Sequence, residues 1–128
     1  MNKEKLISEA QNVISPRNLS DYAKCWTVWS ALLTVAWNIY TWININVNCW
    51  IWFCAEHSTI SEMLKNWESE IKEIVAVARE WVLPPCGRCR ELIAQVHLEN
   101  LNQTYVHLES ESILLKELLP HNWMSYNA

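Results

Sequence analysis

Three cysteines and one glutamate place the strongest constraint on how this chain can fold. Cys54 precedes Glu56 by two residues, and Cys86 and Cys89 follow in a second segment that begins with Pro85. A catalytic zinc ion takes three protein ligands and keeps a fourth position for water. The three thiols match that ligand count, and Glu56 then lies beside them as a proton carrier. A fold that serves this chemistry must bring the two segments together, and we expect each at the start of a helix.

Two other uses of the cysteines stay open. Cys86 and Cys89 alone have the spacing of a redox dithiol, or of one half of a structural zinc site. The redox use would leave Cys54 and Glu56 without a role. A closed structural site would need a fourth ligand, for which the candidates are Cys25, Cys49, His57, His97, His107 and His121.

The composition excludes several classes of protein. A length of 128 residues predicts a single domain over residues 1–128. A formal net charge of −4 argues against a surface that binds duplex nucleic acid. The first residues lack the apolar stretch of a signal peptide, and the apolar run from Trp26 to Trp37 is too short to span a bilayer. Five cysteines without a secretion signal predict a reducing compartment, so we expect a cytoplasmic protein with no membrane partner.

Hydrophobic periodicity predicts alternating helices and strands. Apolar residues recur at helical spacing over residues 3–15, and Pro16 ends that helix. Further helices are expected over 54–66 and 86–96, strands over 27–36, 39–47, 70–78, 105–108 and 113–115, a connecting loop over 81–85, and a short helical end over 117–120. This order predicts an α/β layered fold with a mostly parallel central portion.

One predicted strand carries a row of amides. Asn44, Asn46 and Asn48 alternate with apolar residues, so a period of two places all three on one face. Such asparagines most often face solvent. Because they precede the Cys54 segment, they are also candidates for hydrogen bonding to a sugar or a base.

These residues together resemble the cytidine deaminase family, including its blasticidin S deaminase branch. The resemblance runs from Tyr22 to Trp123 and rests on Cys54-Ala55-Glu56, on Pro85-Cys86-Gly87-Arg88-Cys89-Arg90-Glu91 and on Glu117-Leu118-Leu119-Pro120. It implies a zinc-dependent hydrolytic deaminase of pyrimidine salvage that holds one zinc per chain. It also implies a three-layer fold, with a mixed sheet of about five strands between helices, and a homotetramer that acts on a small nucleoside.

The resemblance also assigns roles to single residues. It implies Cys54, Cys86 and Cys89 as zinc ligands, Glu56 as the proton shuttle, Asn44, Asn46 and Ala55 as substrate-binding positions, and His57 and Arg90 as neighbours that offset the thiolate charge. Asn46 stands where ribonucleoside deaminases place a glutamate that holds the sugar hydroxyls. The neutral amide loses a charge-assisted acceptor, worth about 1 kcal/mol or more. This departure leaves a cytosine-containing antibiotic such as blasticidin S open as the substrate.

The tryptophans are the largest departure from the family pattern. The chain has nine Trp and one Gly. Tryptophan stands at positions where family relatives, or the geometry of a turn, favour glycine. These residues are Trp29, Trp37, Trp42, Trp50, Trp52, Trp67 and Trp81, and we expect the same of Trp26. Three explanations stay open: the residues around these tryptophans have adapted to them, the chain has been engineered, or the recorded sequence is wrong at these positions. The measured mass of the intact protein would test the last explanation. A zinc-stabilised binding domain without turnover is a further alternative, favoured if Trp50 and Trp52 fill the space next to Cys54.

Overall fold

A computed structural model describes residues 1–49 and 51–126 of the chain. Its helices are α1 (Lys3–Asn12), α2 (Ala55–Lys65), α3 (Gly87–Val96), α4 (Asn100–Gln103) and α5 (Leu115–Leu118), followed by a 3-10 helix at Trp123–Tyr126. Its strands are β1 (Arg17–Asn18), β2 (Ala23–Thr34), β3 (Ile39–Val47), β4 (Ile51–Phe53), β5 (Ile71–Ala78), β6 (Trp81–Leu83), β7 (Tyr105–His107) and β8 (Ser112–Leu114). In these described ranges, no helix is both long and apolar enough to cross a membrane.

The strands form one mixed sheet. Its order is β4-β3-β2-β5-β7-β8, with β1 paired to β2 and β6 paired to β5. β5 and β7 are parallel, and the other described pairs are antiparallel. The expectation of a mostly parallel centre is therefore wrong, because β2 and β3 form a hairpin and not a crossover unit. The loop predicted over residues 81–85 is also partly wrong, since Trp81–Leu83 pairs with β5.

Helices cover both faces of this sheet, which confirms the three-layer prediction. On one face α1 packs Leu6 and Ala10 against Trp29 and Val75. On the other face α2 and α3 pack against Leu32 and its neighbours in a second cluster. The long strands β2 and β5 alternate between the two clusters, and this explains their almost continuous burial.

Several element boundaries differ from the predicted ones; for example, the short helix predicted over 117–120 covers Leu115–Leu118. The first helix ends at Asn12, although Val13 and Ile14 still pack against the cluster on its face. β2 begins at Ala23 and not at residue 27, because its first residues pair with the end of β3 and with β1. β3 has the predicted bounds of residues 39–47.

Two of the tryptophans occupy backbone positions that favour glycine. Trp37 has φ 68° in the four-residue loop between β2 and β3, where its N–H donates to the Thr34 carbonyl. Trp67 has φ 63° just after α2, and the bonds from Trp67 N–H to Leu64 O and from Glu68 N–H to Met63 O complete a Schellman motif. The glycine-like character predicted for these two positions is confirmed by the backbone.

The other tryptophans are accommodated differently. Trp29 is 1% exposed and forms part of the core on the α1 face. Trp42 and Trp81 are exposed, and neither has a positive φ. Trp50 lies outside the described residues, as does the side chain of Trp52, so the idea that they fill the site stays a prediction. The left-handed strain is thus confined, among the described tryptophans, to Trp37 and Trp67.

We expect Trp37→Gly and Trp67→Gly each to raise the free energy of unfolding by about 1 kcal/mol. A left-handed L-residue costs roughly 1–2 kcal/mol, and the greater freedom of an unfolded glycine offsets about 0.4–1 kcal/mol of that gain. Urea denaturation measures the change. Trp81→Gly is the matched control, since it removes an exposed indole at ordinary φ and should be neutral or destabilising. Equal effects at all three positions would contradict the explanation by φ.

Candidate functional site

The two cysteine segments meet at the starts of two helices. Cys54 is the residue immediately before α2, and Cys86 is the residue immediately before α3; both have extended backbone. Cys89 lies in the first turn of α3 and is fully buried. The free N–H groups at a helix start carry partial positive charge and stabilise a thiolate. Local sequence therefore places the thiols at two helix starts, and the sheet brings those starts together.

The three sulfur atoms lie at distances that suit one metal ion. Cys54 Sγ is 3.7 Å from Cys86 Sγ, and Cys86 Sγ is 3.4 Å from Cys89 Sγ. All three atoms lie within 4.8 Å of one another. Tetrahedral zinc with Zn–S bonds of about 2.3 Å separates its sulfur ligands by roughly 3.8 Å. The thiols present therefore fit a zinc ion.

A fourth protein ligand is not found in the part of the chain that the structure describes. The metal-competent cluster there comprises the three cysteines alone. Two of the histidines considered as a fourth ligand have carboxylate partners instead: His107 bonds Glu73, and His97 lies 3.7 Å from a Glu70 oxygen. A site with three ligands keeps a coordination position for water, as catalytic zinc requires.

Glu56 occupies the first turn of α2 and is 5% exposed. Burial raises the pKa of its carboxyl, and a hydrogen bond with the Cys89 side chain opposes that rise. A carboxyl with a raised pKa can both accept and return a proton nearer to neutral pH. This is the property expected of the proton shuttle that the sequence assigns to Glu56.

The thiols differ from one another in their electrostatic surroundings. Burial raises the pKa of Cys54 and of Cys89. Burial also acts to raise the pKa of Cys86, but hydrogen bonds to its sulfur outweigh burial and lower this pKa. These bonds come from the backbone and sulfur of Cys89, from the sulfur of Cys54 and from the backbone of Arg88. The backbone N–H groups at the start of α3 therefore contribute to the lowered pKa of Cys86.

Three charged or titratable side chains surround the thiols. Arg88 donates from Nη2 to Cys54 Sγ at 3.9 Å. Arg90 instead donates from Nε to Pro85 O at 2.7 Å and from Nη1 to Leu118 O at 3.0 Å, which ties the start of α3 to the end of α5. The pKa of His57 is lowered by burial and by the charge of Arg88, and its Nε2 is buried without a partner among the described atoms.

Arg88 is the contact that sequence reasoning did not single out. The sequence pattern includes Arg88 in the segment from Pro85 to Glu91 but points to Arg90 as the compensating cation. The sequence feature that could indicate this contact is the position of Arg88 between Cys86 and Cys89, in the first turn of a predicted helix. Which arginine side chain reaches the thiols depends on how α3 lies against α2, and the local pattern does not contain that information.

Two of the predicted substrate positions, Asn44 and Asn46, lie on β3. The Asn44 Oδ1 atom accepts a hydrogen bond from the Val28 N–H at 3.3 Å, where β2 is irregular. Asn46 pairs in register with Lys24 and lines a polar cavity of about 480 Å³ that also includes Asn48 and Asp21.

Ala55 is fully buried at the start of α2, and its carbonyl accepts a hydrogen bond from Thr59 Oγ1 at 2.8 Å. Thr59 also bonds the hydroxyl of Ser30 on β2. These buried contacts fix the first two turns of α2 against the sheet. They therefore hold the backbone beside Cys54 and Glu56 in one place.

Comparison with known proteins identifies the fold. No protein-family model matches the chain. The structure is similar to the cytidine deaminase of Mycobacterium tuberculosis, with a TM-score of 0.79 and 20% identity over 96% of this chain and 98% of that one. The cytidine deaminase of Mycobacterium leprae gives 0.78 and 22% over 94% and 99%, and that of Burkholderia pseudomallei gives 0.72 and 19% over 96% and 100%. The chain thus has the cytidine deaminase fold over nearly its whole length.

Proposed function

We propose that this chain, which has the cytidine deaminase fold, is a zinc-dependent hydrolytic deaminase of a cytosine nucleoside. One observation carries the proposal: three thiols spaced for a single zinc ion lie beside the buried carboxyl of Glu56. A redox dithiol needs two sulfur atoms, and it explains neither the third thiol nor the carboxyl. A structural zinc site ordinarily takes four protein ligands, whereas the described residues provide three.

The chemistry follows from what each residue does. Cys54, Cys86 and Cys89 would hold zinc, which when bound lowers the pKa of a water molecule and supplies a nucleophile near neutral pH. Glu56 accepts a proton from the attacking water and delivers it to the ring nitrogen of the cytosine. It then transfers a second proton to the departing amine. The C4–N bond breaks, a C4–O bond replaces it, and the products are the uracil nucleoside and ammonia.

Substrate recognition is assigned to the amide face of β3. Asn44 and Asn46 offer hydrogen-bonding groups for a sugar, and the backbone at Ala55 is held rigidly enough to contact the base. As the family resemblance implies, we also propose that the enzyme serves pyrimidine salvage in the cytoplasm as a homotetramer.

A second substrate has support from one feature. Asn46 stands where the family resemblance places a glutamate, so a cytosine-containing antibiotic such as blasticidin S stays open as the substrate. The neutral amide at Asn46 agrees with a substrate that is not held by sugar hydroxyls alone.

The test is ammonia release from cytidine, deoxycytidine and blasticidin S. Protein stripped of metal by a chelator should be inactive, and one equivalent of zinc per chain should restore turnover. The ratio of kcat/KM values among the three substrates then identifies the substrate class. If zinc binds at one per chain and none of the three is deaminated, the proposed activity on these substrates fails and the zinc-stabilised binding domain is favoured.

A further inference from the structure

A serine, a histidine and a glutamate form a hydrogen-bonded row across three neighbouring strands of the sheet. Ser112 Oγ on β8 lies 2.7 Å from His107 Nδ1 on β7, and His107 Nε2 lies 2.7 Å from Glu73 Oε2 on β5. The row is on the face covered by α1, because Asn2, just before that helix, also bonds Glu73. The thiol cluster lies at the starts of the two helices that cover the opposite face, so the row is a separate set of chemical groups.

The partners of Glu73 fix the position of the proton on the histidine ring. Burial alone would raise the pKa of Glu73, but hydrogen bonds from Asn2 and His107 lower it, so the carboxylate is ionised at neutral pH and acts only as an acceptor. The ring proton is therefore on His107 Nε2. Burial lowers the pKa of His107, which keeps the ring neutral and leaves Nδ1 as an acceptor. It follows that the Ser112 hydroxyl is the donor to Nδ1.

This arrangement is that of an activated nucleophile. A serine hydroxyl is a weak nucleophile until a neighbouring base accepts its proton, and the base works best when a third group orients it. Here His107 is the base and Glu73 orients it. His107 is 0% exposed, whereas Ser112 is only half-buried. An electrophile can therefore approach the serine from solvent while the base stays shielded from water.

Positive charge lies close to this row. Lys3 Nζ donates to Leu108 O at 2.6 Å and to Glu109 O at 3.0 Å, in the turn that leads from β7 to Ser112. The charge of Lys3 also acts on His107, where it contributes to the lowered pKa after burial. When a hydroxyl attacks an ester carbonyl, negative charge develops on the carbonyl oxygen, and a nearby cation stabilises it.

We propose that Ser112 is a nucleophile that accepts an acyl group from an activated ester, with His107 as its base and Glu73 as a positioning residue. The Ser112 oxygen forms a bond to the carbonyl carbon while its proton passes to His107 Nδ1. The ester C–O bond then breaks, and the alcohol departs with that proton. The products are O-acylated Ser112 and the free alcohol. This reaction uses neither the thiols nor Glu56, so it does not rest on the proposed deaminase.

The first test uses an alkyl fluorophosphonate on the full-length wild-type protein. The same attack forms a bond from the Ser112 oxygen to phosphorus, breaks the P–F bond and releases fluoride. Peptide mass spectrometry measures the labelling rate at each serine. Ser110 is the internal reference, because it is exposed in the turn two residues before Ser112. General-base catalysis contributes about 10²- to 10⁴-fold, so we expect Ser112 to react at least about 10²-fold faster than Ser110.

Variants then test the base and the residue that orients it. His107→Gln and Glu73→Gln should each bring the labelling rate of Ser112 towards that of Ser110. A purely structural role of the network would leave this ratio unchanged in any protein that still folds, which circular dichroism checks. Glu70→Gln is the matched control, since its partner is a different, partly exposed histidine. It should keep the wild-type ratio.

The acyl chemistry is tested with p-nitrophenyl acetate, which should release nitrophenolate and leave an acetyl group on Ser112. The proposal is overturned if Ser112 and Ser110 are labelled at rates within threefold of each other in wild type, a comparison that needs no variant to fold. It is also overturned if folded His107→Gln keeps the wild-type rate, or if no acetyl group is found on Ser112. None of these results bears on ammonia release, so the two proposals can fail separately.

Discussion

Glu56→Gln is expected to lower kcat for deamination by about 10²- to 10⁴-fold while one zinc ion stays bound per chain. Glutamine keeps nearly the same shape at this buried position but cannot accept and return a proton at neutral pH. Zinc binding should persist, because the substitution leaves in place the three thiols that we propose as its ligands. Steady-state ammonia release measures the rate, and zinc content is measured on the same sample.

The matched control is Glu62→Gln on the same helix. The Glu62 side chain is partly exposed and pairs with Lys65 at 2.8 Å, away from the thiols. It should retain wild-type activity to within a factor of two or three. Two results would contradict the assignment of Glu56: activity within tenfold of wild type, or loss of the metal together with the activity.

The second large effect concerns a buried hydrogen-bond network between α1, β5 and β7. His107 Nε2 donates to Glu73 Oε2 at 2.7 Å, and the two side chains are 0% and 1% exposed. Asn2 donates to the same carboxylate from its backbone N–H at 2.8 Å and from Nδ2 at 3.0 Å, while Ser112 bonds His107 Nδ1 at 2.7 Å. The network therefore holds the start of α1 and the β7–β8 hairpin against the centre of the sheet.

We expect Glu73→Leu to lower the free energy of unfolding by about 3–5 kcal/mol, because it leaves buried donors on His107 and Asn2 without an acceptor. The milder Glu73→Gln keeps one acceptor and should cost about 1–3 kcal/mol. Glu70→Gln is the control, since its partner His97 lies 3.7 Å away at a partly exposed position and such pairs contribute at most about 1 kcal/mol. Equal losses at positions 70 and 73 would contradict this account.

The same network predicts the direction of the pH dependence of stability. Burial, with smaller effects of Lys3 and the N-terminus, lowers the pKa of His107 below 6.5, although Glu73 opposes this. Below pH about 6.5 the imidazole of His107 is therefore protonated in the unfolded chain while it stays neutral in the native protein. For this reason the free energy of unfolding falls as the pH is lowered. Burial alone would raise the pKa of Glu73, but hydrogen bonds from Asn2 and His107 lower it below 4.5, so its contribution is lost at still lower pH.

Urea denaturation at pH 7.5, 5.5 and 4.5 measures this dependence. His107→Gln is expected to be less stable than wild type at pH 7.5 but to lose less stability between pH 7.5 and 5.5. His57, whose pKa is also lowered, stays in both proteins and does not affect the comparison. Equal losses of stability in wild type and His107→Gln between pH 7.5 and 5.5 would show that protonation of His107 does not cause the acid sensitivity.

Local sequence was informative where the chemistry is local. The Cys86–Cys89 spacing is one turn of helix, and a residue before a helix is expected to present its side chain at the free N–H groups. For this reason the starts of α2 and α3 could be predicted. The alternation in β3 likewise predicted a strand over residues 39–47, because side chains of a strand alternate strictly, but Asn48 lies in the turn after this strand and not on its face.

Long-range features escaped the sequence patterns. Nothing near Glu73 indicates that His107 will be its partner, since the pairing depends on the parallel contact of β5 with β7. The position of β2 between β3 and β5, antiparallel to both, was also missed, because local patterns do not show which strands will be neighbours in the sheet.

The sequence by itself determined which residue types are available for the chemistry: three thiols, one carboxyl and their spacing relative to two helix starts. Only the tertiary structure decided that the sulfur atoms converge within 4.8 Å, and that the guanidinium of Arg88 rather than that of Arg90 contacts Cys54. The physical reason is that spacing along a helix follows from its regular geometry. The relative placement of two helices depends on how their buried side chains pack against a common sheet.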